Sequence, residues 1–185
     1  MIAKVFDVNA DSPTVSMFKR PMVTVILILI VNFTGLCTEV AEDGDTEWKY
    51  SERSAEMGRG TDKFAVIESS NTVDFQFPYQ SGQHLKLCLR KSPKFGKDVI
   101  LRMEQGQFTS SYSQNFVTVR FDGHELQKFV AGDSDDGSSN VLFIRHYERF
   151  VSQLRHTKTL KIEASFFREG ARVFEFDVRG LKHDW

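Results

Sequence analysis

Hydrophobic and polar residues alternate with a period of two along most of the chain after Glu39, the pattern of strands buried on one face. Residues 84–90 are the clearest case: Leu85, Leu87 and Leu89 face one way, and His84, Lys86, Cys88 and Arg90 the other. The same alternation predicts strands over 73–77, 117–121, 160–164 and 174–178. Shorter or fully buried candidates lie at 48–51, 64–68, 99–103, 124–130 and 141–144. The period changes once, where Tyr147, Phe150, Val151 and Leu154 recur at spacings of three and four and predict one amphipathic helix over 145–157. Turn chemistry separates the segments: Gln80-Ser81-Gly82, Ser92-Pro93-Lys94-Phe95-Gly96, Asp122-Gly123, the stretch 133–140 and Arg168-Glu169-Gly170. Asp122-Gly123 between two apolar segments predicts a tight hairpin, since both residue types tolerate positive φ. Short strands with a single late helix predict a mainly β fold, an antiparallel β-sandwich with one short amphipathic helix near the C-terminus. No internal repeat or linker divides it.

One segment has no polar face. Residues 22–33 read MVTVILILIVNF, which as a helix would extend about 18 Å against a hydrocarbon core of about 30 Å. Too short to span a membrane, the run reads as the apolar region of a signal peptide. Lys19 and Arg20 supply its basic start, and Thr34-Gly35-Leu36-Cys37 a cleavage region ahead of the acidic stretch 39–47. Asp7 and Asp11 lie before Met17, where a signal carries basic residues, so Met17 reads as the true start. The expected organisation is an extension and signal peptide over 1–37 and a single β-rich domain over 38–185, exported to the periplasm.

Cys37 admits two readings. It stands where the modified cysteine of a lipoprotein stands, and a lipid anchor at Cys37 is the only membrane association expected. Leu36, directly before it, takes a place usually held by a small residue and favours simple cleavage after Cys37 or nearby. In both readings Cys37 leaves disulfide chemistry, and Cys88 remains as the unpaired thiol of a bridge-free domain.

Composition narrows the classes. Lys and Arg total 24 against 25 Asp and Glu, a balance unlike that of a nucleic-acid binder, and 17 Phe in 185 residues exclude a disordered chain. Removing residues 1–37 takes away three basic and two acidic residues, leaving 21 against 23, or a net charge of −2. A domain of about 150 residues buries roughly 68–70% of the surface its unfolded chain exposes and needs no bridge.

No residue pattern assigns a chemistry. His84, His124, His146, His156 and His183 lie far apart in sequence, and a helix carrying His146 and His156 would separate them by about 15 Å, too far to share a metal ion. Asp122, His124 and a serine could converge as a triad, but the chain has no G-x-S-x-G nucleophile elbow. The acidic loop from Asp133 to Asn140 invites a calcium reading. However, Asp133-Ser134-Asp135-Asp136-Gly137 is one residue short of the EF-hand spacing, and Phe143 takes the place of its closing Glu, so it reads as a solvated turn. Arg90, Lys91, Lys94 and Lys97 form one basic group, and Arg145, Arg149, Arg155 and Lys158 another; both read as solvated charge. No catalytic, cofactor-binding or metal-ligating residue is assigned, no cofactor or small-molecule ligand is expected, and the chain reads as a non-enzyme.

Several segments carry a resemblance: Trp48-Lys49-Tyr50-Ser51-Glu52, Glu56-Met57, Ser70-Asn71-Thr72-Val73, Phe75-Gln76-Phe77-Pro78-Tyr79, Leu87-Cys88-Leu89-Arg90, Gly106-Gln107-Phe108, Arg120-Phe121-Asp122-Gly123 and the closing stretch 174–181. Across nearly the whole exported domain the chain resembles a family of small exported bacterial proteins of unassigned activity. That family distantly resembles the accessory proteins associated with type VI secretion, through Arg-Phe-Asp, a helix, and a closing Phe-x-x-x-Gly-Leu. The family commonly carries a cysteine pair after Gly-Gln-Phe; here residues 109–115 read TSSYSQN, so that bridge is missing. The resemblance brings no catalytic motif. The expected function is a non-catalytic binding or structural module of the periplasm or cell envelope, secretion-associated, whose partner is another envelope protein and not nucleic acid. The alternatives are an inhibitor or immunity-like protein that inserts the loop 133–140 into a cell-wall hydrolase, and a hydrolase using His124 or His84.

Overall fold

The alternation is realised as strands because the inward positions are the apolar ones and one helix covers what they leave open. In the computed structural model, residues 41–42, 47–54, 58, 60–79, 82–109 and 115–185 are described, all within a compact unit covering residues 35–185. The elements are β1 (Ala41–Glu42), β2 (Lys49–Ser54), β3 (Thr61–Glu68), β4 (Leu85–Ser92), β5 (Gly96–Met103), β6 (Asn115–Phe121), β7 (Gln127–Asp133), β8 (Val141–Ile144), α1 (Tyr147–Leu154), β9 (Thr159–Phe166) and β10 (Gly170–Asp177). The aliphatic run 22–33, Lys19, Arg20 and Cys37 lie outside the described residues. No helix among the described residues is long and apolar enough to cross a membrane.

Among the described residues the fold is mainly β and antiparallel, with one short α-helix near the C-terminus. The strands form one sheet in the order β1-β2-β3-β4-β5-β8-β7-β6-β9-β10. The first five run as a meander. After β5 the chain skips two places, returns through β7 and β8 to pair with β5, and crosses by way of α1 to lay β9 beside β6. Strands β6 to β9 thus trace a Greek key, with the helix in its long connection.

Both halves of the sheet feed one core. Leu85, Leu87 and Leu89 of β4 and Val99, Leu101 and Met103 of β5 meet Val117 and Val119 of β6, Ile162 of β9 and Phe174 and Phe176 of β10. This arrangement is compatible with the expected sandwich, although the hydrogen bonding continues from one half into the other. The two ends of the strand order also approach each other. Trp48, just before β2, donates from its indole N–H to the carbonyl of Val178, just after β10, at 3.1 Å. Ser70 and Asn71, just after β3, lie along β10: the Ser70 N–H donates to the Glu175 carbonyl at 2.7 Å. The Asn71 side chain donates from Nδ2 to the Val173 carbonyl at 3.0 Å and accepts the Glu175 N–H at 2.7 Å.

Helix α1 is shorter than the period predicts. His146 holds φ 66°, a left-handed conformation that cannot continue a helix, so helical geometry starts at Tyr147. Its apolar face behaves as read: Tyr147, Phe150, Val151 and Leu154 are buried, and the Phe150 ring packs edge-on against Phe121 at 5.5 Å and Phe129 at 5.4 Å.

Three further expectations change. Residues 73–77 are not a strand beyond an isolated bridge between Val73 and Gln83, because Pro78 lacks an N–H and restricts Phe77 before it. The Asp122-Gly123 turn forms with φ 42° and 75° and an N–H···O bond from His124 to Phe121 of 2.8 Å. The ladder of β6 and β7 nevertheless begins only at the Val119–Gln127 pair, so the connection is wider than a two-residue hairpin. Cys88 is disulfide-bonded, which corrects the reading of a bridge-free domain with an unpaired thiol; its partner lies outside the described residues.

Candidate interaction surface

Where β4 and β10 begin, one end of the sheet is covered by aromatic rings. Phe166, at the end of β9, stacks on Phe108 at 4.8 Å and contacts Phe75 at 5.0 Å and Phe174 at 5.9 Å. The segment carrying Phe75 is fixed by polar bonds on both sides. Val73 and Gln83 exchange N–H···O bonds of 3.0 and 2.8 Å, Asp74 Oδ1 accepts the Gly82 N–H at 2.8 Å, and Glu169 Oε1 accepts the Gln76 N–H at 2.9 Å. Glu169 is itself buried and held by Arg172 at 3.2 Å. Gly106 admits this packing: it sits at φ 109°, and a Cβ there would come within 2.6 Å of the Phe75 ring.

From this fixed base two aromatic side chains point outward. Phe77, whose peptide bond to Pro78 is cis, is 96% exposed, while Phe75 two residues earlier is 7% exposed. Phe167 is also exposed, tied by its N–H to the Gln107 carbonyl at 2.9 Å, with the Arg168 guanidinium 5.2 Å from its ring centroid. Period-two reading treats Phe75 and Phe77 as equivalent core positions. The Phe77-Pro78 dipeptide is the signal that separates them, because the chain cannot pass a proline in an inner strand.

The opposite end is closed by the closing stretch of the chain. Trp185 is buried, 6.4 Å from the Tyr50 ring, with the Lys91 ammonium 5.0 Å from its own ring centroid. Lys91 also donates to the Asp184 carbonyl, and Arg155 to the Trp185 main-chain oxygen. The two basic groups read from the sequence as solvated charge meet here, and most of their members have partners. Lys97 pairs with Glu148 at 2.6 Å. Arg149 donates to Gln127 at 2.9 Å and lies over Phe129 at 4.7 Å. Arg90 departs furthest from that reading: it is 6% exposed, bonded to Asp98 by Nε at 2.8 Å and by Nη2 at 2.5 Å, and stacked on Phe95 at 4.8 Å. The Lys91 ammonium is pushed below its usual range by desolvation and by the charges of Lys97, Arg155 and Lys63, with Asp184 opposing.

Among the other residues weighed from sequence, Asp122, His84, Asp133 and Asp136 bond to the surrounding chain. The Asp122 carboxylate accepts N–H bonds from Thr159 at 2.7 Å and from Lys158 at 2.8 and 3.0 Å, which makes it the anchor of the turn before β9. The Thr159 bond is the largest influence holding its carboxyl below the usual range. His84 bonds through Nδ1 to the Ser69 carbonyl at 2.7 Å. The Ser69 hydroxyl, 3.5 Å from that ring, donates to the Asn71 carbonyl at 2.7 Å and accepts the Leu85 N–H at 3.1 Å, so its hydrogen bonds run to the main chain. In the loop 133–140, Asp136 accepts the Ser138 N–H at 2.9 Å and Asp133 accepts from Asn115 at 2.9 Å. No group of three His, Cys, Asp or Glu among the described residues could hold a metal ion. No family model, no curated protein and no solved structure matches the chain.

Proposed function

We propose that the chain is an exported, non-catalytic binding module of the bacterial cell envelope that meets another envelope protein through its aromatic end. The observation that carries this reading is Phe77, 96% exposed on a segment that polar bonds and the buried Phe75 hold in one conformation. A large apolar side chain kept in water by a fixed support gains free energy when a partner covers it, and little conformational entropy is lost on binding. Phe167 and Arg168 extend the same surface with the amphipathic character that interface centres favour. The basic start and apolar run at 19–33 support export, and so does the resemblance to a family of exported proteins.

The test is photo-crosslinking in intact bacteria from a probe at position 77, with a probe at Glu163 on the outer face of β9 as control. The expected result is one discrete adduct from position 77, absent from position 163 and lost in the Phe167→Asp background. Identical adducts from both positions, or protein confined to the cytoplasm, would overturn the proposal.

A further inference from the structure

Cys88 lies on the face of β4 turned away from the main core, at 1% exposure. Its cross-strand neighbours are Val66 and Ile100, and with Phe64 they form a second apolar cluster, flanked by Val141 and Phe143. Its sulfur is disulfide-bonded, and the chain contains only one other cysteine, Cys37. We propose that Cys37 is the partner of Cys88 and that the mature protein therefore keeps Cys37.

The reach is adequate. Ala41 pairs with Tyr50, Tyr50 with Ala65 and Ala65 with Leu89, so β1 stands three strand spacings, about 14 Å, from the strand that carries Cys88. The steps from Cys37 to Ala41 extend up to about 14 Å, and a disulfide adds a Cα–Cα separation of about 5.5 Å. The bond forms when two thiols lose two protons and two electrons to a disulfide oxidant of the exported compartment, which is reduced to its dithiol by exchange. Its setting rests on the export reading above. The bond is incompatible with lipidation of Cys37, which consumes the sulfur as a thioether, and with cleavage after Cys37, which discards it. Processing must then fall before Cys37.

The experiment uses the full chain, isolated from the periplasm with alkylation at lysis and measured by intact mass and peptide mapping before and after reduction. The expected result is a mature chain that includes Cys37, no thiol alkylated in denaturant until reductant is added, and a linked peptide pair containing Cys37 and Cys88. A chain beginning after Cys37, a lipid-modified Cys37, or two thiols alkylated without reduction would each overturn the proposal. If the protein never leaves the cytoplasm, export fails on its own, and the bridge is judged by oxidising the purified full chain with oxidised glutathione. An intramolecular Cys37–Cys88 link then sustains it, whereas only mixed disulfides or linked dimers overturn it. Cys37→Ser, Cys88→Ser and the double variant give an independent check, because loss of one shared bond requires the double variant to be no less stable than the weaker single variant.

Discussion

Tyr147 carries a hydroxyl into the core without a hydrogen-bond partner among the described residues, at 8% exposure. Desolvation is the main cause that pushes its ionisation up to about 12, whereas the unfolded chain titrates near 10. The fold thus favours the neutral phenol; that contribution is complete below about pH 10 and lost as pH rises towards 12. Tyr147→Phe is expected to change stability by no more than about 1 kcal/mol and to flatten the alkaline limb of urea denaturation between these pH values. A larger destabilisation would mean that the hydroxyl has a partner. Arg90 is the opposite case, a buried charge with excellent bonds. Asp98→Ala strands it, and the expected loss is about 3–5 kcal/mol, measurable as a shift in the urea midpoint, with most of it restored by replacing Arg90 with Met as well. Leu85, Leu87 and Leu89 were legible from alternation alone because one face of β4 meets the core. The burial of Arg90 was not, since it depends on Asp98 across the hairpin and on the Phe95 ring, neither of which enters a periodic pattern.

Among the elements, β8 matches its sequence reading to the residue at Val141–Ile144, because a short apolar run between two turns leaves its pairing little freedom. Residues 73–77 carry the same alternation and fail as a strand, since proline chemistry outweighs the period. Phe77 was therefore hidden as a core residue, and the surface proposed for binding was unreadable until Glu169, over ninety residues away in sequence, was seen to hold Gln76. Asp122 was readable as a turn residue but not as the acceptor for the chain entering β9. Its lowered ionisation makes a signed expectation. The stability it adds is present above about pH 4, its unfolded value, and is lost as pH falls through the lower folded value. Asp122→Asn keeps the shape and tolerates the positive φ, so thermal melts of this variant are expected to show a shallower decline on acidification than the parent. An unchanged acid limb would show that the carboxylate contributes nothing there.

At the scale of the molecule, composition and period reached the fold class and the helix, while the order of the strands depended on pairings such as β5 with β8 that join residues some forty positions apart. The covalent link at Cys88 was also beyond them, because the N-terminal reading had already taken Cys37 out of disulfide chemistry. The approach of residues 70 and 71 to β10 has a consequence of another kind. A sheet with a bare outer strand offers a template on which other copies can stack, and the usual route from folded β proteins to insoluble fibrils begins there. Asn71 answers part of that hazard with a single side chain, whose amide occupies the Val173 carbonyl and the Glu175 N–H as a neighbouring strand would. Asn71→Ala is therefore expected to leave the monomer folded by circular dichroism but to raise light scattering steeply with protein concentration; equal scattering from both proteins would remove the idea. On that expectation, the residue that looks like an ordinary turn former after β3 would act as a guard against self-association.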